Sequence, residues 1–164
     1  MDRKKIGVSE AQNISISLKA RLWNYCIRLA KMKVLALEEE IQSTQESTTS
    51  EGKSTAGDKH ETGRAMMHLE QEKLHKQLVE AQILMAEMER IDPAVRHIKV
   101  GLGSLITTDK GLFFIAAGLG KIEFEGIAYF VVSVKAPIAA QFIGKVAGDK
   151  VLMNGVVYKI RRLE

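Results

Sequence analysis

The chain has 164 residues, 27% of them charged and 46% hydrophobic, the composition of a folding chain and not of a disordered tail. No apolar run is long enough for a transmembrane helix, and Met1-Asp2-Arg3-Lys4-Lys5 is followed by no apolar signal core, so a cytoplasmic protein that does not enter a membrane is expected. The single cysteine, Cys26, excludes an internal disulfide framework and a multi-cysteine metal site. The net charge of +4 lies in the C-terminal half: residues 97–164 carry nine Lys or Arg against five acids, while residues 1–96 carry fifteen of each. A mildly basic half suits a surface near nucleic acid, DNA included, or an acidic protein patch, although solubility alone also accounts for it.

Composition changes near Pro93. Residues 1–92 contain no proline and four glycines and are rich in Ala, Leu, Met, Glu, Gln and Lys, all good helix formers. Residues 1–16 form an unplaced N-terminal extension. From there Leu18, Leu22, Tyr25, Leu29 and Met32 recur at heptad spacing and drift toward Leu35, Leu37 and Ile41. A second seam runs through Met67, Gln71, Leu74, Leu78, Ala81, Met85 and Met88. The Ser/Thr/Gly-rich stretch between them, with a tip loop near 43–61, makes residues 17–92 an antiparallel coiled-coil hairpin. Two core helices of a compact bundle are the alternative, but no third helix is available to complete one.

Residues 97–164 read as strands. Ile98–Thr107 and Leu112–Ala117 are apolar and β-branched or aromatic; Lys121–Glu125 turns at Glu125-Gly126 into Ala128–Val134. Pro137 opens a short helix over 138–143, and Lys150–Met153 and Val156–Leu163 flank Asn154-Gly155, a strong hairpin signal. The fold class is therefore α+β: a helical hairpin followed by a small antiparallel sheet carrying one short helix.

Little in the chain suggests a self-contained enzyme. Cys26 lies beside the helical seam, where a packed thiol is the simpler reading than a nucleophile. His60, His68, His75 and His97 have no metal-ligand spacing. Gly101-Leu102-Gly103 and Gly118-Leu119-Gly120 precede no helix and lack the phosphate-loop Lys, so they shape turns and bulges. No Ser-His-Asp or nucleophile-elbow pattern is readable. The informative segment is Gly57-Asp58-Lys59-His60-Glu61, where the loop meets the second helix. Asp58 and Glu61 lie three apart on a first helical turn. They can form a capping arrangement, or face one way and hold a hard cation such as Mg²⁺ weakly, and the two roles are compatible.

Two motifs carry a family resemblance. Ala136-Pro137-Ile138-Ala139-Ala140-Gln141-Phe142-Ile143-Gly144-Lys145 is similar to the "SPIARGLIGK" signature of the Gre family of bacterial transcript-cleavage factors, and Gly148-Asp149 and Val157-Tyr158-Lys159-Ile160 follow as in that family. Gly57-Asp58-Lys59-His60-Glu61 is similar to its shorter "GDLKEN" tip motif, with Asp58 and Glu61 on the two acidic positions. The resemblance covers most of residues 17–164. It implies a coiled coil joined to an FKBP-like domain that binds RNA polymerase, with Pro137, Ile138, Gly144 and Lys145 on the binding segment. It also implies a monomer that acts beside nascent RNA. The tip acids Asp58 and Glu61 would then help hold a Mg²⁺ shared within the polymerase active site, where it activates a water to cut backtracked RNA. The chain would stimulate the polymerase's own cleavage and would not be an enzyme alone. Here Thr62-Gly63-Arg64-Ala65 follows the tip where the family has Asn and then an aromatic residue. That departure leaves room for a polymerase-binding regulator without cleavage activity, like the Rnk-type relatives, whose coiled coil is short. A coiled-coil interaction module is the reading without polymerase. An FKBP-like domain also invites prolyl isomerisation, which needs an aromatic pocket; with aromatics at 5%, Phe113, Phe114, Phe124, Phe130 and Phe142 are expected in the core.

Overall fold

The computed structural model describes residues 16–51 and 59–164. Two long helices, α1 (Leu18–Glu51) and α2 (Lys59–Glu89), pack together and lead into six strands: β1 (Leu105–Thr108), β2 (Leu112–Ala116), β3 (Gly120–Phe124), β4 (Ile127–Ser133), β5 (Lys150–Met153) and β6 (Val156–Leu163). A short helix, α3 (Pro137–Phe142), lies between β4 and β5. This is the α+β arrangement that the change of pattern at Pro93 predicts.

Helix α1 continues to Glu51, well into the stretch whose composition predicts a loop. The reason is local. The Thr44 hydroxyl donates to the Glu40 carbonyl and the Ser47 hydroxyl to that of Ser43, while Gln42 Nε2 donates to Glu46 Oε1. Hydroxyls that bond back one turn no longer compete with the helix.

The α2 seam matches its sequence reading: Leu74, Ala81 and Met88 are buried and Met67, Gln71, Leu78 and Met85 half-buried. The α1 seam matches in part. Of the predicted positions Leu22, Leu37 and Ile41 are buried and Leu18, Tyr25 and Leu29 half-buried, but Met32 is 65% and Leu35 48% exposed, and Cys26, Ala30 and Val34 are buried in the middle of the contact. Small residues occupy the contact at Cys26 and Ala30, so a search for bulky residues at heptad spacing drifts off the buried face between Leu22 and Leu37. Ala30→Leu is accordingly expected to destabilise the chain by about 1–3 kcal/mol through overpacking, and Met32→Ala by less than about 0.5 kcal/mol. Equilibrium urea unfolding of the two variants distinguishes the registers, and equal effects would contradict the observed seam.

The strand order is β3-β4-β2-β1-β6-β5. Every pair is antiparallel except β2–β4, which is parallel from Leu112↔Tyr129 to Ala116↔Ser133, so the sheet is mixed and not purely antiparallel. The cause is the β3–β4 hairpin: β3 leaves β2 for the edge of the sheet, and β4 returns into the gap alongside β2. Both two-residue turns form as their sequences predict, with positive φ at Glu125, Gly126, Asn154 and Gly155. Residues 98–104, predicted as strand, are instead a bend. Gly103 has φ +85°, and Ser104 Oγ accepts from the Gly101 amide at 2.9 Å. An added Cβ at Gly103 would sit 3.0 Å from Ile91, so the chain needs glycine there for space as well as conformation.

The sheet is covered on both faces. Leu105, Phe114, Ala116, Tyr129 and Val131 pack against Leu22, Cys26, Met88 and Ile91 at the base of the hairpin. Ile106, Phe113, Ile115, Val151 and Ile160 face the other way, onto Ala139 and Phe142 of α3. Alternation along the strands therefore sends successive apolar residues to two different layers. Of the five phenylalanines, Phe113, Phe114 and Phe142 are buried, Phe124 is half-buried, and Phe130 remains 37% exposed while stacking on Phe113.

One buried group is left over. The Tyr129 hydroxyl has no hydrogen-bond partner among the described residues, and burial raises its pKa. Tyr129→Phe is expected to stabilise the chain by about 1 kcal/mol, because it removes a desolvated polar group and keeps the ring. A lower melting temperature for the variant would show that the hydroxyl has a partner in solution.

Candidate functional site

The residues singled out by the sequence fall into two groups that the fold holds apart. Asp58 lies outside the described residues. Glu61 is in the first turn of α2, exposed, and is the acidic residue of that turn. Arg64, one turn on, lines a shallow 270 Å³ depression with Met67, His68 and Gln71. These residues stand at the far end of a 31-residue helix, roughly 45 Å from the end that packs on the sheet. An exposed carboxylate there keeps its hydration. It is a weak ligand by itself and a usable one when another molecule completes a cation's shell. Among the described residues, no group of three or more His, Cys, Asp or Glu side chains is gathered for a metal.

The second group lies on α3 and its exit. Pro137 stands in the first turn of α3, whose N-cap Ala136 has extended φ/ψ and no side-chain cap bond. Proline suits that turn, because its missing N–H removes a donor that would have no intrahelical partner. Ala139 and Phe142 are buried, so the helix turns Pro137, Ala140 and Gln141 outward, with Ile138 half-buried at the margin of the core. Gly144, φ +78°, ends the helix with the left-handed residue such a stop requires. Its amide donates to the Val100 carbonyl at 2.9 Å, and the Lys145 carbonyl accepts from the Val100 amide at 2.8 Å. The backbone of Gly144-Lys145 is therefore fixed to the bend before β1, while Ile143, Gly144 and Lys145 are exposed. Further on, Asp149 Oδ2 accepts from the Val146 amide at 2.9 Å and closes the turn into β5. The structure thus gathers Pro137, Ile138, Gly144 and Lys145 in one segment on the α3 side of the sheet, opposite the hairpin base.

Between these groups lies a junction that the sequence did not reveal. Arg21 of α1 makes paired hydrogen bonds to the Glu125 carboxylate, at 3.0 and 3.1 Å, and donates to the Ile16 carbonyl at 2.8 Å. The bond to Arg21 holds the Glu125 carboxyl below its ordinary pKa and raises that of Arg21. Trp23 Nε1 donates to the Met88 carbonyl at 2.9 Å across the two helices. Lys19 is 3% exposed, an unusual place for an ammonium, and donates to the Val95 carbonyl. The one available signal was Glu125 at a turn position that favours Asn, Asp or Gly; no local pattern marks Lys19.

Cys26 is fully buried, and burial pushes its thiol up to about 12. It is a packed thiol and not a thiolate nucleophile. An acid whose pKa rises on folding favours the folded state while it stays protonated, so stability falls once the unfolded thiol ionises. Unfolding free energy is expected to drop by up to ~1.4 kcal/mol per pH unit between about pH 9 and 12, and Cys26→Ala should remove that part of the slope. Identical slopes for both proteins in denaturant titrations would contradict the assignment.

No helix among the described residues is long and apolar enough to cross a membrane. The chain matches no protein-family model and no curated protein.

Proposed function

We propose that the chain is a transcription elongation factor of the Gre type. In this reading it binds bacterial RNA polymerase through the α3 segment, sends the helical hairpin into the secondary channel, and stimulates Mg²⁺-dependent cleavage of backtracked RNA. The observation that carries the reading is the separation of two exposed surfaces along one long hairpin. An acidic first turn stands roughly 45 Å from the sheet, and a segment whose backbone is tied down at Val100 stands on the sheet's far face. Such an arm lets one end anchor and the other act at a distance. The motif likenesses at Asp58–Glu61 and at Pro137–Lys145 supply the partner.

Asp58 and Glu61 would hold Mg²⁺ jointly with carboxylates of the polymerase, and that ion would supply an activated water for phosphodiester hydrolysis. Arg64, exposed in the second turn of α2, offers a cation for the RNA phosphates. Two carboxylates are an incomplete ligand set, which suits a chain that acts in another protein's active site. The departure at Thr62-Gly63-Arg64-Ala65 favours a second reading, a polymerase-binding regulator that does not promote cleavage. The length of α1 and α2 favours the first.

The binding half is tested by co-migration of the chain with purified bacterial RNA polymerase on size exclusion. Lys145→Glu, at an exposed position, is expected to weaken binding about tenfold. Absence of any complex with the unaltered chain would discard both polymerase readings.

A further inference from the structure

A cavity of 610 Å³ lies where residues 93–98 pass between the start of α1 and the end of β6. Its charged lining residues are mostly cationic. Lys19, Arg96 and Arg162 line it together with His97, and Glu164 is the one carboxylate among the lining residues. Glu164 is shared: its Oε1 lies 3.3 Å from Arg162 Nε. Asp92 is the second carboxylate whose charge reaches Lys19.

Three costs converge on Lys19. It is 3% exposed, so its ammonium has lost most of its hydration. It stands in the first turn of α1, where the helix dipole opposes a cation, and that turn holds no acid. Its neighbours Arg96, His97 and Arg162 are themselves cations or can become so. Of the three donors on the ammonium, one has a partner among the described residues, the Val95 carbonyl. Burial lowers the pKa of Lys19, and burial together with the Lys19 charge lowers that of His97. A negative ligand in the cavity offsets all three costs at once.

We infer that this cavity is a binding site for a small oxyanion, a carboxylate or a phosphate, held by Lys19 and Arg162. Val95 and Ile98, 46% and 85% exposed at its rim, can cover an apolar body attached to the anionic head. Because the walls come from α1, from the segment after α2 and from β6, an occupied site also ties the hairpin to the sheet. The inference is independent of any role in transcription.

The test follows the His97 ring protons by NMR in the full chain. Inorganic phosphate and hexanoate are titrated at constant ionic strength, with chloride as the reference. Saturable shifts, with a rise in the His97 pKa when the site is filled, are expected for at least one probe. Phosphate alone would assign the site to phosphate-bearing ligands, and tighter hexanoate would assign it to apolar carboxylates. Arg162→Gln, whose parent side chain is 71% exposed and whose loss should leave the fold intact, is expected to weaken binding about tenfold. Lys19→Met should abolish it, with the near-ultraviolet spectrum showing whether the fold is kept. Shifts no larger than those in chloride, or binding unchanged in Arg162→Gln, would overturn the inference.

Discussion

Asp58→Ala/Glu61→Ala is expected to lose the stimulation of RNA cleavage while keeping polymerase binding. Glu61 is exposed in the first turn of α2, far from the α3 segment that the proposed function assigns to polymerase binding. Removing two carboxylates there disturbs no buried contact of Glu61. Loss of a shared metal's ligands removes the transition-state stabilisation the ion supplies, several kcal/mol in all, so rates should fall by about 100-fold or more. Capping predicts something else. If Asp58 only caps α2, its loss costs about 1 kcal/mol of helix stability and leaves cleavage near normal. Measuring cleavage rate and thermal unfolding on the same double variant separates the two roles. A variant that cleaves normally would assign the acids to capping and move the chain to the non-cleaving regulator.

Phe142→Ala is expected to have the largest effect on stability, about 3–5 kcal/mol in equilibrium unfolding. Helix α3 has six residues, too few to hold helical structure unaided, and Phe142 is its one large fully buried side chain. The ring packs 5.1 Å from Phe113 and 6.3 Å from Tyr158, centroid to centroid. Without it the backbone that presents Pro137, Ile138, Gly144 and Lys145 loses its anchor, so polymerase affinity should fall with stability. Gln141→Ala, on the exposed face of the same helix, is expected to shift unfolding by less than about 0.5 kcal/mol. Equal effects of the two substitutions would contradict the packing described.

The parts of the fold legible in the sequence are those set by near neighbours. The Glu125-Gly126 and Asn154-Gly155 turns, the β5–β6 pair and the start of α3 at Pro137 depend on residues a few positions apart. The α2 seam was legible because bulky residues line it. The α1 seam was legible only at Leu22, Leu37 and Ile41, because Cys26 and Ala30 let the helices meet through small side chains between them. The Ser/Thr run of α1 looks like a loop by composition, yet its hydroxyls bond back to Ser43 and Glu40. The parallel β2–β4 pair depends on strand order, which no turn signal encodes. The junction at Lys19 and Arg21 is least legible: the partners Val95 and Glu125 lie 76 and 104 positions away. Of the candidate site, the α3 segment could be read as one unit because it is contiguous. The tip acids are readable only as a short motif: Glu61 is exposed and needs no packing that a sequence pattern would betray, and Asp58 lies outside the described residues.

The most direct measurement of the proposed function uses bacterial RNA polymerase halted in a backtracked complex with labelled RNA. The unaltered chain is added with Mg²⁺, and RNA length is followed over time. Shortened RNA that can be extended again on addition of nucleotides is the expected result, with no shortening from the chain and RNA in the absence of polymerase. RNA of unchanged length in a complex shown to contain the chain would contradict the cleavage-factor reading.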